Sequence, residues 1–339
     1  MRSWQNLALG LALAALATAG LAACSDAGEP AGPPPPATWA VFRHLPGVVD
    51  LAGPRADGSF LVAAAGRLFV LGRDGTLRPF ARGAGGYRTT QGPEPYLTVA
   101  GGHPGGANPC PFGTNTAFAL EPGSRPGVVM ISPDGRASRF ADLPAGHSPS
   151  GIAFDGTGRF GHRLLVTAGH QGRTTVYAIA CDGQVATVTA GAPPMEGGIT
   201  VAPATFGRFG GDLIAPDEGH GLVYAVDPSG RVVTLARSGR PAGGDIGVES
   251  AGFVPPAVKA AYLADRFSAG NKHPGDNAIL RLAPADLARA GIKAGDLLVA
   301  TEGGAETIDV RCAAACTVRY VAAGPAIAHA EGHIVFASP

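Results

Sequence analysis

The chain has 339 residues, of which 52 are glycine and 30 are proline, so nearly one residue in four is unfavourable inside a helix. It has no Gly-x-y period, 45% of its residues are hydrophobic and only 15% are charged, which excludes a collagen-like or a disordered chain. Basic and acidic residues number 26 each, so nothing indicates a nucleic-acid surface. The composition predicts an all-β protein of short strands joined by tight turns.

The first 23 residues have the layout of a secretory signal peptide. Arg2 precedes a largely apolar run over 7–19, and Leu21-Ala-Ala leads directly into Cys24. This arrangement resembles the lipobox of bacterial lipoproteins, and the resemblance implies cleavage before Cys24 and lipidation of that cysteine. We therefore expect an exported protein that is anchored to the membrane by its lipid and faces the periplasm or the cell exterior. A plain signal peptide with an incidental cysteine is the alternative.

Residues 24–37 include four consecutive prolines at 33–36 and have no apolar periodicity, which predicts a disordered, semi-extended tether. No later stretch is apolar for long enough to span a bilayer. We assign the remaining residues, 38–339, to a single folded domain, which we expect to be monomeric.

Four cysteines remain after Cys24, and an even number in an exported protein predicts disulfide bonds. Cys312 and Cys316 flank a three-residue loop between two apolar runs, as in a β-hairpin, so a bridge across that loop is expected. This pairing leaves Cys110 with Cys181. A Cys-x-x-Cys zinc pattern is absent.

Two kinds of internal repeat divide the domain. The segments 151–168 and 198–215 both contain Gly-Arg-Phe-Gly between two apolar runs, at a spacing of 47 residues. A strand–turn–strand unit with an Asp-Gly or similar turn, typical of a hairpin, recurs at 68–80, 128–140, 176–188 and 222–234. The cysteine hairpin at 308–320 occupies the same place in its own repeat.

Four short strands per repeat, at spacings of about 45–50 residues, predict a β-propeller. We expect six blades, with seven as the alternative. The innermost strands are predicted to begin near six positions: Val49, Leu97, Ile152, Ile199, Gly252 and Ile334. The stretch 277–304, with a short helix signal at 284–290, breaks the pattern and predicts either an insertion in one blade or an incomplete extra blade. Residues 38–44 and 334–337 are predicted to be the outer and inner strands of the blade that closes the ring.

Acidic residues recur at equivalent positions of the repeats. Three residues before each matchable inner strand lie, in order, Glu94, Pro149, Glu196, Glu249 and Glu331. The position that ends the next strand, on the same face, is occupied by Gly169, Asp217, Asp265 and Glu302. The loops that follow add His170, Glu218, His220, Asn271 and His273. We therefore expect glutamate, aspartate and histidine side chains to converge at one mouth of the central channel.

Converging carboxylates repel each other, which raises their pKa values unless a cation or hydrogen-bond donors compensate. A divalent cation with oxygen ligands, calcium foremost, satisfies this requirement. The alternative is that these acids accept hydrogen bonds from backbone amides or pair with arginines. The motifs of dinucleotide, serine-hydrolase and zinc-peptidase sites are absent in their required context: Gly156-Thr-Gly-Arg-Phe-Gly161 leads into a strand and not a helix.

As a repeat architecture, residues 40–339 resemble the gluconolactonase-like and NHL-type propellers. The segment Ala264-Asp-Arg, followed by Asn277-Ala-Ile-Leu-Arg, is closest to the NHL pattern. The resemblance implies a divalent ion held in the channel by glutamate, asparagine and aspartate. Glu196 or Glu249 would supply the glutamate and Asp217 or Asp265 the aspartate, whereas no asparagine stands at a matching position.

Two functional hypotheses follow. In the first, an exported lipoprotein binds a small, sugar-like molecule or a protein partner at its acidic channel mouth, with a divalent cation. In the second, the same face belongs to a metal-dependent hydrolase or lyase that acts on a lactone or an ester, with the ion as Lewis acid. No complete catalytic set can be named from the sequence, which favours the first hypothesis.

Overall fold

The protein is a six-bladed β-propeller. The computed structural model describes residues 35–89, 94–100 and 112–338, and the described secondary structure is almost entirely β-strand, in six sheets. The predicted signal peptide, Cys24, the tether up to residue 34 and Cys110 lie outside the described residues. No helix in the described ranges has the length and apolar character needed to cross a bilayer.

The first four blades follow the order of the chain, with antiparallel pairing between neighbours. Blade 1 follows two short strands, β1 (Ala37–Thr38) and β2 (Ala40–His44), and contains β3 (Val48–Ala52), β4 (Phe60–Ala64), β5 (Arg67–Leu71) and β6 (Leu77–Phe80). Blade 2 contains β7 (Leu97–Val99), β8 (Ala117–Glu121), β9 (Gly127–Ile131) and β10 (Ala137–Asp142). Blade 3 contains β11 (Ser148–Phe154), β12 (Leu164–His170), β13 (Arg173–Ile179) and β14 (Val185–Ala192). Blade 4 contains β15 (Thr200–Val201), β16 (Leu213–Asp217), β17 (Leu222–Val226) and β18 (Val232–Arg237), with a 3-10 turn at Gly207–Phe209.

Blades 5 and 6 exchange strands. The chain continues through β19 (Val248–Phe253), β20 (Ala260–Asp265), β21 (Ala278–Leu282), helix α1 (Pro284–Arg289), β22 (Leu297–Thr301), β23 (Thr307–Cys312), β24 (Cys316–Ala323) and β25 (Ala330–Ala337). Strand β19 pairs with β22 in blade 5, whereas β20 pairs with β25 in blade 6. The prediction for 277–304 was therefore wrong: the segment is neither an insertion nor an extra blade. The hairpin β20–β21 fills the middle of blade 6, between β25 and β2, and α1 returns the chain to blade 5.

The two ends of the domain close the ring, as predicted. Strand β2 is the outer strand of blade 6 and β25 is its inner strand. The preceding strand β1 adds a fifth, parallel strand to blade 5 by pairing with β24. Between them, Trp39 is 1% exposed and its indole Nε1 donates to Thr307 Oγ1 at 2.8 Å. Ala37, the last residue of the predicted tether, is buried in β1 and belongs to the propeller.

The hydrophobic core consists of six clusters, one between each pair of neighbouring blades, so each sheet buries both of its faces. Representative pairs across successive interfaces are Leu61 and Leu97, Phe118 and Ile152, Leu165 and Leu213, Val223 and Leu297, Leu280 and Leu298, and Ile279 and Val62. The abundant glycine serves the turns between strands. At the β5–β6 hairpin, Gly75 has a φ of 79°, and Asp74 Oδ1 accepts the N–H of Thr76 at 3.0 Å.

Cys312 and Cys316 form a disulfide at the end of the β23–β24 hairpin. Cys181 also takes part in a disulfide, and its predicted partner, Cys110, lies outside the described residues.

Candidate metal and ligand site

Six carboxyl groups lie at the end of the channel where the inner strands begin. We call this set the acidic mouth; its members are Glu94, Glu196, Glu218, Glu249, Glu302 and Glu331. Glu94 and Glu196 precede β7 and β15, whereas Glu249 and Glu331 are the second residues of β19 and β25. Because the inner strands of a propeller run in the same direction along the channel, these positions converge.

Tyr96 links the two most deeply placed acids. Its hydroxyl lies 2.6 Å from Glu331 Oε2 and 2.8 Å from Glu249 Oε1, and all three residues are buried. A phenol has one proton to donate, so one of the two carboxyl groups must itself be protonated and donate to the phenol oxygen. Burial, followed by the charge of Glu331, raises the pKa of Glu249 well above its usual value. Glu249 therefore holds the proton and Tyr96 donates to ionised Glu331.

Two cations oppose the charge of Glu331. Arg266 Nη1 donates to Glu331 Oε1 at 2.6 Å and to Glu94 Oε1 at 2.8 Å. Burial alone would raise the pKa of Glu331, but hydrogen bonds and charges from His329, Arg266 and Tyr96 hold it below its usual value. Burial and the charge of Glu331 together raise the pKa of Glu94 to about 7, although Arg266 offsets part of this effect.

His329 lies between two carboxylates of the mouth. Its Nε2 is 2.8 Å from Glu302 Oε1 and 3.6 Å from Glu331 Oε1. Burial opposes a charge on this imidazole, yet the hydrogen bonds to Glu302 and Glu331 outweigh burial and raise the pKa of His329 to about 10. His329 Nδ1, Glu302 Oε2 and Glu249 Oε2 are buried without a hydrogen-bond partner among the described residues.

A further proton is held on the side of the mouth formed by blades 4 and 5. The carboxyl group of Glu218 lies beside those of Glu196 and Glu302, and the charges of both act on it. Burial and the charges of Glu196 and Glu302 raise the pKa of Glu218 to about 9. At neutral pH the mouth therefore contains protonated acids beside ionised ones.

Glu302, His329 and Glu331 have the arrangement of metal ligands. Each offers one ligand atom, and these atoms lie within 4.8 Å of one another at buried positions. Imidazole together with carboxylate is a donor set that suits zinc or manganese, whereas calcium prefers six to eight oxygen atoms. The unpartnered oxygens of Glu302 and Glu249 are additional donors at the same place. The residues present thus fit a divalent cation once His329 has given up its proton, because a ligating imidazole is neutral.

Several residues that the sequence analysis placed at this face make other contacts. Asp217 accepts hydrogen bonds from the backbone N–H of His220 at 3.2 Å and from its ring Nδ1 at 2.9 Å. Asp265 accepts from the N–H of His329 at 2.9 Å and from that of Asp276 at 3.2 Å. These two aspartates organise backbone, which is the alternative that the sequence analysis left open.

His273, predicted as a ligand from the loop after β20, also lies outside the ligand set. His273 Nδ1 contacts the carbonyl of Ala326 at 2.7 Å. Its backbone N–H donates to Asn271 Oδ1 at 2.8 Å, which fixes the loop after β20. On blade 3, His170 stacks on His147, with ring centroids 4.5 Å apart.

Three central residues were not predicted from the sequence: Tyr96, Arg266 and His329. Two of them had a usable signal, because Tyr96 follows Glu94 by two positions and His329 precedes Glu331 by two. Alternate residues of an extended strand point to the same side, so each was a candidate neighbour of its glutamate. Arg266 directly follows Asp265, and nothing in its local pattern marks it as a partner for the acids.

Below the acidic mouth, a buried ion pair closes the channel. Asp50 of β3 is fully buried and contacts His333 Nδ1 at 3.0 Å, and it also accepts the N–H of Leu97 at 2.6 Å. His333 Nε2 lies 2.9 Å from the carbonyl oxygen of Ile152, so both ring nitrogens donate and the ring is an imidazolium. The charge of Asp50 overcomes the effect of burial and raises the pKa of His333. This pair ties together blades 1, 2, 3 and 6.

No protein-family model and no curated protein matches the chain. Among solved structures, a virginiamycin B lyase from Staphylococcus aureus is 12% identical, with a TM-score of 0.45 over 83% of this chain and 86% of that one. A gluconolactonase from Xanthomonas campestris is 17% identical, with a TM-score of 0.41 over 68% and 69%. The calcium-binding protein regucalcin from Agrobacterium tumefaciens is 13% identical, with a TM-score of 0.40 over 69% and 74%. Likeness at this level does not assign a function to this chain.

Proposed function

We propose that the acidic mouth binds a divalent cation and, through it, a small oxygen-rich ligand such as a sugar-like molecule. The observation that carries the proposal is the convergence of buried ligand atoms from Glu302, His329 and Glu331 within 4.8 Å. Unpartnered buried oxygens on Glu302 and Glu249 support it, because a buried polar atom without a partner is costly.

The charge balance of the mouth also supports a cation. Among the described residues, the six carboxyl groups face two cationic side chains, Arg266 and His329. Protons compensate the remaining charge, as the raised pKa values of Glu218 and Glu249 indicate. A divalent ion would supply the same compensation and release protons as it binds. Once bound, the ion would offer its open coordination positions to hydroxyl or carbonyl oxygens of a ligand.

Thermal unfolding of the full chain tests the cation site. Calcium, magnesium, manganese and zinc are each added to metal-free protein, and at 100 times its dissociation constant a bound ion should contribute about 2.7 kcal/mol of stability. Glu302→Gln and His329→Gln should abolish the shift. Glu306→Gln is the matched control, because Glu306 lies on the same turn but pairs with Arg240. If none of the four ions shifts the unfolding temperature of the unaltered chain, the proposal is wrong.

One observation favours a second candidate, a metal-dependent hydrolase or lyase acting on a lactone or ester. Glu249 is protonated, it has an unpartnered oxygen, and it connects to the ligand Glu331 through Tyr96. An acid held in its protonated form beside a cation is the arrangement of a general acid. In a lactone and ester screen at saturating concentrations of the stabilising metal, Glu249→Gln should lower kcat at least 100-fold, because the amide keeps an oxygen beside the ion but cannot supply the proton. A screen without turnover leaves the binding function as the conclusion.

We also propose that the protein is exported and anchored to the membrane by a lipid on Cys24. The Leu-Ala-Ala-Cys sequence after an apolar segment supports this. Labelled palmitate should be incorporated into the unaltered chain but not into Cys24→Ser, whereas Cys181→Ser should still be labelled. Labelling of Cys24→Ser would refute lipidation at this residue.

A further inference from the structure

The channel has a second opening, at the end opposite the acidic mouth. A cavity of about 640 Å³ lies there, lined by residues from all six inner strands: β3, β7, β11, β15, β19 and β25. The glutamates occupy the beginnings of these strands, whereas Phe154, Phe253 and Phe336, which line the cavity, lie at or near their ends. The volume falls within the range of about 300–1,000 Å³ that is usual for small-molecule sites.

The described walls of this cavity offer no unpaired charge to a ligand. Among the described residues that line it there is no aspartate, glutamate, lysine or arginine. Polar groups are few, and the hydroxyl of Thr157 already donates to Asp155 at 2.8 Å. Transfer of an ion from water into such a cavity is costly without a paired opposite charge. The lining therefore favours an uncharged, largely apolar ligand.

The inner end of the cavity is closed by His333, the one titratable side chain among its lining residues in the part of the chain that the structure describes. Both of its ring nitrogens are engaged, one by Asp50 at 3.0 Å and the other by the Ile152 carbonyl at 2.9 Å. Because its donors are satisfied and its charge is balanced by Asp50, His333 offers little to an anion. The ring of Tyr96 contacts His333 edge-on, at 6.4 Å between centroids, from the side of the acidic mouth. The ion pair thus separates the cavity from the acids.

We propose that this cavity is a second binding site, which takes an uncharged small molecule with an apolar body, an alkyl chain or an aromatic ring system. The convergence of six strands on one cavity gives it a fixed shape. Among the described lining residues the charge of His333 is balanced by Asp50, and this lack of an unpaired charge selects the ligand class. The site is separate from the acidic mouth and does not depend on a metal.

The probe is N-phenyl-1-naphthylamine, a neutral aromatic dye whose fluorescence rises in apolar surroundings, titrated into the full chain. Binding should saturate at one dye per chain. Thr200→Phe and Ala204→Phe, which each place a ring in the cavity, should weaken binding at least about tenfold, given the apolar volume lost. Thr187→Phe is the matched control, because Thr187 is exposed on the outer strand β14 and should leave the affinity unchanged. Two filling variants are used so that one that unfolds does not decide the result.

Displacement of the dye tests the ligand class. Dodecanol, dodecanoate and dodecylamine have the same chain length and differ in charge, so dodecanol should displace the dye at least about tenfold more effectively than either ion. Glu302→Gln, at the acidic mouth, should bind the dye as the unaltered chain does. The proposal is overturned by dye binding that does not saturate, or by filling variants that both bind the dye as tightly as the unaltered chain. It is also overturned if the charged amphiphiles displace the dye as effectively as dodecanol. Loss of binding in Glu302→Gln would refute the separation of the two sites while leaving the metal proposal to its own test.

Discussion

The hydroxyl of Tyr96 lies 2.6 Å from Glu331 Oε2 while its other neighbour, Glu249 Oε1, is 2.8 Å away. A single phenol thereby holds an ionised carboxylate on one side and a protonated one on the other. The asymmetry has a physical cause, because Glu331 is paired with Arg266 and His329 whereas one oxygen of Glu249 has no partner among the described residues. The acidic mouth is therefore divided into groups that hold charge and groups that hold protons.

Replacement of Tyr96 by phenylalanine should destabilise the protein. Two buried carboxyl groups lose a hydrogen bond at once, and each unsatisfied group costs about 1–3 kcal/mol. Chemical denaturation in the presence of a chelator gives the free energy of unfolding. Tyr87→Phe is the control, because Tyr87 is also buried but its hydroxyl has no partner among the described residues. Equal free energies of unfolding for the two variants would contradict the role assigned to Tyr96.

The metal-free protein should lose stability as the pH rises. The folded-state pKa of Glu218, about 9, lies above the usual value of 4.5, so folding favours its protonated form. The resulting stability is fully present below about pH 4.5 and disappears as the pH rises through 9. Glu249 acts in the same direction, since burial and the charge of Glu331 raise its pKa as well. Unfolding temperatures measured in chelator should therefore fall between pH 6 and pH 9.

Amide variants provide the control for this pH dependence. Glu218→Gln with Glu249→Gln replaces both protonated acids by neutral groups of the same shape, so the decline from pH 6 to pH 9 should become shallower. Asp182→Asn, at an exposed turn of blade 3, should show the same decline of unfolding temperature with pH as the unaltered chain. A stability that rises with pH over this interval would show that these two acids are ionised in the folded protein.

The buried pair Asp50–His333 should be a major source of stability. Asp50→Asn leaves a buried imidazolium without its counter-charge, and breaking a buried ion pair costs about 3–5 kcal/mol. The exposed pair of His44 and Asp276, at 3.8 Å, offers a comparison, and Asp276→Asn should cost less than about 1 kcal/mol. Urea unfolding of the two variants gives both values. A loss below 1 kcal/mol in Asp50→Asn would mean that the pair does not hold the four blades together.

Most of the fold could be predicted from the sequence because each blade repeats its own local pattern. The turn residues and the alternation of apolar residues locate the strands within each repeat. All six inner strands lie at or next to the predicted positions, although β11, β19 and β25 begin four residues earlier than predicted. The exchange between blades 5 and 6 could not be predicted in this way. The hairpin β20–β21 has the pattern of any middle hairpin, and its blade is decided by long-range pairing with β25 and β2.

The candidate site could be predicted only in part. Aligned repeats identify acids that begin inner strands, and Glu94, Glu249 and Glu331 are joined through Tyr96 and Arg266. Repeat alignment is silent about residues that occur in one blade only, and His329 is such a residue. The same alignment could not tell that Asp265 would bond to backbone, because this depends on the loop that folds over it.

Closure of the ring should depend on Trp39, which lies between the two blades that exchange strands. Trp39→Ala removes a side chain that is 1% exposed, and a cavity of this kind costs about 3–5 kcal/mol. Trp39→Phe keeps most of the apolar volume and loses the bond to Thr307 Oγ1, whose hydroxyl still donates to the Ala305 carbonyl, so the cost should be about 1–2 kcal/mol. Val41→Ala, at a 43% exposed position of β2, should change the free energy of unfolding by less than 1 kcal/mol. Because β1 and β2 lie at the outer edges of blades 5 and 6, Trp39→Ala should also expose the segment 35–44 to proteolysis before the remaining blades unfold. Cleavage of this segment at the same rate in Trp39→Ala and the unaltered chain would show that the ring is closed by β25 alone.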